Sequence, residues 1–162
     1  MKVTTKFLIF IIIFGLISID KKVQTQDITV TGSWFLTIDA SDLQSGAGSD
    51  LVDTYTSTSN AVQVDITGTA GSTDSWRVDV RKSDSNWHSD FRLRVRRTSD
   101  GTGSGSISGG DSFITVTNSD KVFFSGSGDR TGIDVQLRLR YVSIQIPPDT
   151  YTTTVHYTVV DI

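Results

Sequence analysis

Cysteine is absent from the 162 residues, which excludes disulfide bridges and thiolate metal sites. Glutamate is absent as well, and all 18 acidic residues are aspartate, which favours turns over helix interiors. Histidine occurs only twice, so few side chains can serve as a general base or an imidazole ligand. These absences exclude a disulfide scaffold and favour a chain with little helix.

The first 25 residues differ from the rest of the chain. Lys2 and Lys6 flank the start of an apolar run from Phe7 to Ile19. As a helix this run would span only about 20 Å, too short for a hydrocarbon core of about 30 Å. The pattern is typical of a secretory signal peptide, and the alternative is an uncleaved anchor. We predict a signal peptide over residues 1–25 and a secreted, cell-surface or periplasmic domain over 26–162 without a membrane span.

Removing the signal peptide would make the protein more acidic. The segment contains four lysines and one aspartate, so the formal charge falls from −3 for the whole chain to −6 for residues 26–162. Nucleic acids are polyanions that bind basic surfaces. We therefore expect no nucleic-acid partner.

Apolar and polar residues alternate in about eight segments separated by Gly, Ser and Asp. This period of two predicts antiparallel strands with one buried face. The expected fold is all-β: an antiparallel β-sandwich, immunoglobulin-like or pilin-like, with a closed barrel as the alternative. The predicted core residues are Trp34, Val64, Val78, Leu93, Val95, Val135, Leu137, Val155 and Tyr157.

Three segments carry special features. The first apolar phase continues from Ile28 to Ile38, which predicts one long strand. The apolar phase flips between Leu139 and Val142, which predicts a bulge or a crossing between sheets. Residues 99–111 are rich in glycine and serine, which is typical of a flexible surface loop.

No constellation of residues predicts catalysis. A hydrolytic triad needs a nucleophile, a base and an orienting acid that meet in space, and we interpret His88 and His156 as surface residues. Asp39, Asp42 and Asp50 occupy one loop region, which leaves a calcium site open, as do Asp84 and Asp90 in another. No EF-hand loop occurs. We assign no catalytic residue, no metal ligand and no cofactor.

Arginines and tryptophans are the candidates for ligand contacts. Strand spacing places Arg92, Arg94 and Arg96 on one face, about 7 Å apart, where they could bind an acidic glycan or an acidic partner. The alternative is a solvated face on which arginines pair with aspartates across strands. Trp34 and Trp76 share the core phase, whereas Trp87 is predicted to be exposed and able to stack on a sugar.

Both ends of residues 26–162 resemble a known family. Residues 147–159, with two prolines, a tyrosine and alternating Thr and Val, resemble the closing strand of exported fimbrial subunits of the spore-coat-U and chaperone–usher type. Residues 28–34 are similar to the donor strand of such subunits, which inserts into the next subunit. The resemblance implies a strand whose contacts are Ile28, Val30, Gly32 and Trp34. The alternative is that these residues form the first strand of their own sheet.

These features lead to two functional hypotheses. The first is an exported cell-surface structural subunit, pilus-like or fimbria-like, that self-associates into a polymer by β-strand addition. The alternative is a secreted carbohydrate-binding or lectin-like module with a glycan partner. Neither hypothesis assigns an enzymatic activity to the protein.

Overall fold

The computed structural model describes residues 26–162, which form two antiparallel β-sheets packed face to face. The predicted all-β sandwich is therefore confirmed. The predicted signal peptide, residues 1–25, lies outside the described residues. Within residues 26–162 no helix has both the length and the apolar character needed to cross a membrane.

The described residues contain eleven strands and one short 3-10 helix, Ala40–Asp42. Four of the strands have only two or three residues, and three of these four account for the excess over the predicted eight. In chain order the strands are β1 (Asp27–Gly32), β2 (Thr54–Thr56), β3 (Val62–Thr67), β4 (Ser75–Asn86), β5 (Arg92–Arg97), β6 (Thr102–Gly103), β7 (Ile107–Ser108), β8 (Ile114–Thr115), β9 (Lys121–Ser127), β10 (Arg130–Arg140) and β11 (Thr152–Asp161).

Strand β10 is the centre of the larger sheet. The order in this first sheet is β1-β3-β10-β5-β8, and β2 and β6 also pair with β10. The second sheet has the order β11-β4-β9-β7. Strand β1 is thus an edge of the first sheet and β11 an edge of the second.

The main core lies between the sheets. Trp76 is fully buried, donates its indole N–H to the carbonyl of Gly128 at 2.8 Å, and packs edge-on against Phe124 with ring centroids 6.1 Å apart. The core predictions are confirmed for Val64, Val78, Leu93, Val95, Val135 and Leu137. Trp34, Val155 and Tyr157 were also predicted to be buried, but they are only partly buried because they lie at the margin of the sandwich.

A second, smaller cluster fills one end of the sandwich. Phe91, Leu139 and Val142 are buried there, and Trp87 packs against them. The prediction that Trp87 is exposed is wrong: its ring meets Phe91 edge-on, with centroids 5.3 Å apart. The side chain therefore covers the core instead of offering a free sugar platform.

Two predictions about strand ends are wrong: the long first strand from Ile28 to Ile38, and the bulge or sheet crossing between Leu139 and Val142. The first strand ends at Gly32, whose φ of 106° takes the chain out of the sheet, so residues 33–39 belong to no strand. The phase flip in the last third marks the end of β10: Tyr141 has a φ of 64°, and Val142 re-enters the core. The bulge in β10 lies earlier, between Arg130 and Ile133.

The glycine-rich segment 99–111 is not a simple loop. It contributes β6 to the first sheet and β7 to the second. Gly101 and Gly103 have positive φ, and a Cβ on either would run into a backbone carbonyl oxygen, that of Thr131 in β10 or that of Asp129 just before it. Glycine here permits close packing of two backbones, so two short parts of the predicted surface loop are strands, while its flexibility stays a prediction.

Candidate functional site

The outer surface of the first sheet carries five arginines. Apolar residues of β5 and β10 point into the core, and strict alternation places the arginines on the opposite side. The register sets Arg92 opposite Arg140 and Arg94 opposite Arg138, while Gln136 lies opposite Arg96. We call this surface the arginine face; it comprises Arg92, Arg94, Arg96, Arg138 and Arg140.

The arginine face has little compensating negative charge. Among residues 26–162, its one carboxylate contact within 4.0 Å joins Arg140 Nη2 to Asp53 Oδ2, at 4.0 Å. Like charges directly opposite each other on a sheet are destabilising. The predicted alternative, a face of arginine–aspartate pairs, therefore does not describe this sheet.

Neutral groups hold the guanidinium groups in position. Arg96 Nε donates to Gln136 Oε1 at 2.9 Å, and Arg138 Nε donates to Thr56 Oγ1 at 3.1 Å. Arg92 donates to backbone carbonyls of residues 89–91, and Arg94 donates to the carbonyl of Phe113. The side chains are thus oriented by hydrogen bonds, yet their charges are not neutralised.

Phe113 lies over the middle of the arginine face. Its ring centroid is 3.8 Å from the guanidinium carbon of Arg138, 4.7 Å from that of Arg96 and 5.9 Å from that of Arg94. Cation–π contacts of this kind each contribute about 0.5–1 kcal/mol at exposed sites. The ring therefore offsets part of the repulsion among the three cations.

The mutual repulsion also appears in the acid–base properties of the face. Burial, followed by the charges of Arg96, Arg94 and Arg140, lowers the pKa of Arg138. Guanidinium groups nevertheless stay protonated in proteins. The face therefore presents several positive charges at every physiological pH.

Two adjoining cavities open beside the arginine face. The basic cavity, of about 340 Å³, is lined by Arg92, Arg94, Thr115, Arg140 and Tyr141. The mixed cavity, of about 470 Å³, is lined mainly by acidic, amide and apolar side chains. Arg92 and Tyr141 line both, so the cavities share a wall.

The candidate donor strand pairs within its own chain. Strand β1 is antiparallel to β3, with Ile28 opposite Ile66 and Gly32 opposite Val62. A Cβ on Gly32 would run into the carbonyl oxygen of Ala61, so the predicted close approach of backbones occurs within one chain. Val30 is 40% exposed, whereas Ile28 and Trp34 pack partly against the core. A role of this strand between subunits stays a prediction.

The two histidines lie apart and have structural contacts. His156 Nε2 hydrogen-bonds to Ser83 Oγ at 2.7 Å on the second sheet, but no described carboxylate hydrogen-bonds to this imidazole. His88 Nδ1 accepts from the backbone N–H of Asp90 at 3.3 Å and packs edge-on against Phe91. Neither histidine lines either cavity.

The aspartates considered for calcium have internal partners. Asp39 caps the 3-10 helix, and Asp50 accepts from the backbone N–H groups of Ile144 and Leu51, which lower its pKa. Burial acts to raise the pKa of Asp84, but hydrogen bonds from Lys82 and Thr153 leave it below its ordinary value. Within the described part of the chain, no three acidic or histidine side chains gather around a common point.

No family model matches the chain, and neither does any curated protein or solved structure. The β-sandwich and the arginine face are therefore the basis for inferring a function. Sequence reasoning found three members of that face but missed the register with Arg138 and Arg140, and it missed Phe113. The phase flip after Leu139 was the one signal for the unusual backbone of Tyr141.

Proposed function

We propose that this protein is an exported binding module that holds an anionic polysaccharide on the arginine face. The observation that carries the proposal is the register of β5 and β10, which sets arginine opposite arginine twice without a carboxylate between them. Such an arrangement costs folding free energy unless an anion neutralises it. A bound anion would therefore restore the missing charge compensation.

The chemistry of guanidinium defines the ligand. Arginine offers five N–H donors and no acceptor, and it binds sulfate-like and carboxylate groups through two parallel hydrogen bonds. The Cβ atoms of neighbouring arginines lie about 7 Å apart along a strand and about 5 Å apart between strands. This array fits a polymer with repeated acid groups better than a single small anion.

A neutral glycan has less support. The formal charge of residues 26–162 is negative, so an anionic ligand would be held by the local charge of the arginine face and not by the net charge of the protein. Recognition of neutral sugars by tryptophan needs an exposed indole, whereas Trp76 is buried and Trp34 and Trp87 are partly buried. Charge recognition by the arginine face is therefore the form of glycan binding that we propose.

A matched pair of double variants tests the proposal. R94S/R138S removes two charges from the arginine face, and R77S/R81S removes two from the second sheet, where the arginines pair with Asp79 and Asp120 at 2.8 and 3.5 Å. We expect wild type to bind dextran sulfate but not dextran. R94S/R138S should bind about a hundredfold more weakly, since each charged hydrogen bond contributes about 1.5–3 kcal/mol. R77S/R81S should bind normally; equal losses would contradict the proposal.

A second candidate function, a pilus-like or fimbria-like subunit, is favoured by the edge position of β1. Among the described strands it is hydrogen-bonded to β3 alone, so it could leave the sheet with the loss of one pairing partner. Deleting residues 26–33 distinguishes the roles. A donor-strand subunit should lose polymers yet leave a monomer that accepts an added peptide of that sequence, whereas loss of an intrinsic strand should unfold the domain. A truncated protein that still polymerises would eliminate the intersubunit role.

A further inference from the structure

We infer that the polysaccharide carries an uncharged, hydroxyl-bearing sugar next to the acidic sugar held by the arginines. This inference rests on the proposed function and deepens it. It follows from the contrast between the two adjoining cavities, which share Arg92 and Tyr141 as a wall. Both are open to solvent, so one polymer chain can lie across them and place a unit in each.

The basic cavity selects an acid group. Arg92, Arg94 and Arg140 supply only donors, and Thr115 adds a hydroxyl. A carboxylate or sulfate, which only accepts hydrogen bonds, matches this set of groups.

The mixed cavity rejects a second acid group. It is lined by Asp50, Asp53 and Asp90, together with Gln44, Gln145 and the shared Arg92, so three acidic residues outnumber one arginine. Backbone N–H groups hold the pKa of Asp50 below its ordinary value, so this carboxylate remains charged at neutral pH. Carboxylates and amides bind hydroxyl groups, which both donate and accept, while like charge repels an acidic sugar.

Tyr141 separates the two cavities and has an unusual backbone. Its φ of 64° makes it the one non-glycine residue with positive φ among residues 26–162, and its side chain is 48% exposed. The N–H of Val142 donates to the carbonyl of Asp53 at 3.2 Å, which fastens the chain directly after it. Strained residues persist where function needs their position. The guanidinium carbon of Arg140 lies 4.9 Å from the centroid of the Tyr141 ring, and the exposed part of the ring is placed to stack against the uncharged sugar.

Two carboxylated polysaccharides test the inference. Hyaluronan carries a carboxylate on every second sugar, and polygalacturonate carries one on every sugar. With fragments of equal carboxylate number at low salt, we expect hyaluronan to bind at least about tenfold more tightly. D90N should reduce the ratio of the two affinities, because it removes a repelling charge from the mixed cavity. D120N removes one negative charge beside the second sheet and should leave the ratio unchanged.

Variants of Tyr141 separate binding from folding. We expect Y141G to keep or raise the melting temperature, because glycine tolerates positive φ, yet to weaken hyaluronan binding about tenfold. Y141F should bind normally. A lower melting temperature with unchanged binding would show that Tyr141 is only structural and would overturn its role.

The outcomes also separate the two levels of the proposal. Tighter binding of hyaluronan supports the inference. If polygalacturonate binds as tightly, or if dextran sulfate binds and neither carboxylated polymer does, the inference fails and the proposed function stands. If none of the three polymers binds at low salt, the proposed function fails.

Discussion

The two sheets use arginine in opposite ways. On β4 in the second sheet, Arg77 Nε lies 2.8 Å from Asp79 Oδ1, and Arg81 Nε lies 3.5 Å from Asp120 Oδ1. On β5 in the first sheet, the neighbours of Arg92 and Arg94 across the ladder are two further arginines. The outward face of β4 carries Asp79 between Arg77 and Arg81, whereas that of β5 carries three arginines, and the register with β10 sets two more arginines opposite them. The comparison distinguishes a solvated surface from a candidate ligand site.

The largest effect on binding is expected when one arginine of the first sheet is replaced by aspartate, so that unlike charges face each other across the ladder. Arg138→Asp would place a carboxylate opposite Arg94. We expect affinity for dextran sulfate to fall more than about a hundredfold, since a donor is lost and a repelling charge gained. The free energy of unfolding should change by less than about 1 kcal/mol, because an attractive pair replaces the contact with Phe113.

Calorimetric titration and urea unfolding of Arg138→Asp would measure both quantities. Arg138→Gln is its control, as it removes the charge without adding a carboxylate. If Arg138→Asp bound as well as wild type, the arginine face would not be the ligand site.

A higher salt concentration should also weaken binding to the arginine face, but by less than Arg138→Asp does. Raising NaCl from 0.1 M to 1 M shortens the Debye length from about 10 Å to about 3 Å, so exposed charge interactions weaken. We expect wild-type affinity for dextran sulfate to fall at least about tenfold. The residual binding of R94S/R138S should depend less on salt, and a salt-independent wild type would argue for apolar contacts instead.

Breaking an ion pair on the second sheet should have a smaller effect still. Asp79→Asn removes the carboxylate that binds Arg77 through two hydrogen bonds, at 2.8 and 3.0 Å. Partly exposed pairs contribute about 0–1 kcal/mol, so urea unfolding should register a loss of that size. Dextran sulfate binding should not change, because no second arginine lies opposite Arg77. Tighter binding would show that an unpaired arginine is enough to bind dextran sulfate, even without a second arginine opposite it.

The smallest effect is expected from pH between 8 and 5. Arginines stay protonated throughout this range, so binding should be constant. Hydrogen bonds lower the pKa of Asp39, Asp50 and Asp129 from 3.8, so their contribution to stability is present above that value and is lost as pH falls through the lower folded pKa. Urea midpoints should therefore be flat from pH 8 to 5 and fall below about pH 4. A decline already between pH 7 and 5 would contradict this assignment.

The sequence was sufficient for the fold class but not for the site. Alternation located β3, β4, β5 and β10 and identified their buried residues, since period-two burial is a local property of a strand. Alternation also located Arg92, Arg94 and Arg96 on one face. What opposes them depends on a partner strand about 45 residues later, and register across such a distance has no local signal.

Edges and ends of strands were the least predictable features. The partial burial of Trp34 and Tyr157 reflects their place at the margin of the sandwich, which depends on strand order. Trp87 follows β4 in a polar segment, yet its ring is drawn into the end cluster by Phe91. Composition likewise made segment 99–111 look flexible, whereas its glycines permit close backbone contacts with the region around Asp129 and Thr131.

The arginine Nε–Hε signals in an NMR titration with a dextran sulfate oligosaccharide test the central claim most directly. The account predicts shifts confined to the arginine face, with the largest changes at Arg94, Arg138 and Arg140 and none at Arg77 or Arg81. Assignment by single Arg→Lys variants would identify each signal. Equal shifts for the arginines of both sheets, or none at saturating oligosaccharide, would contradict the claim that the opposed arginines of β5 and β10 make the first sheet an anion-binding surface.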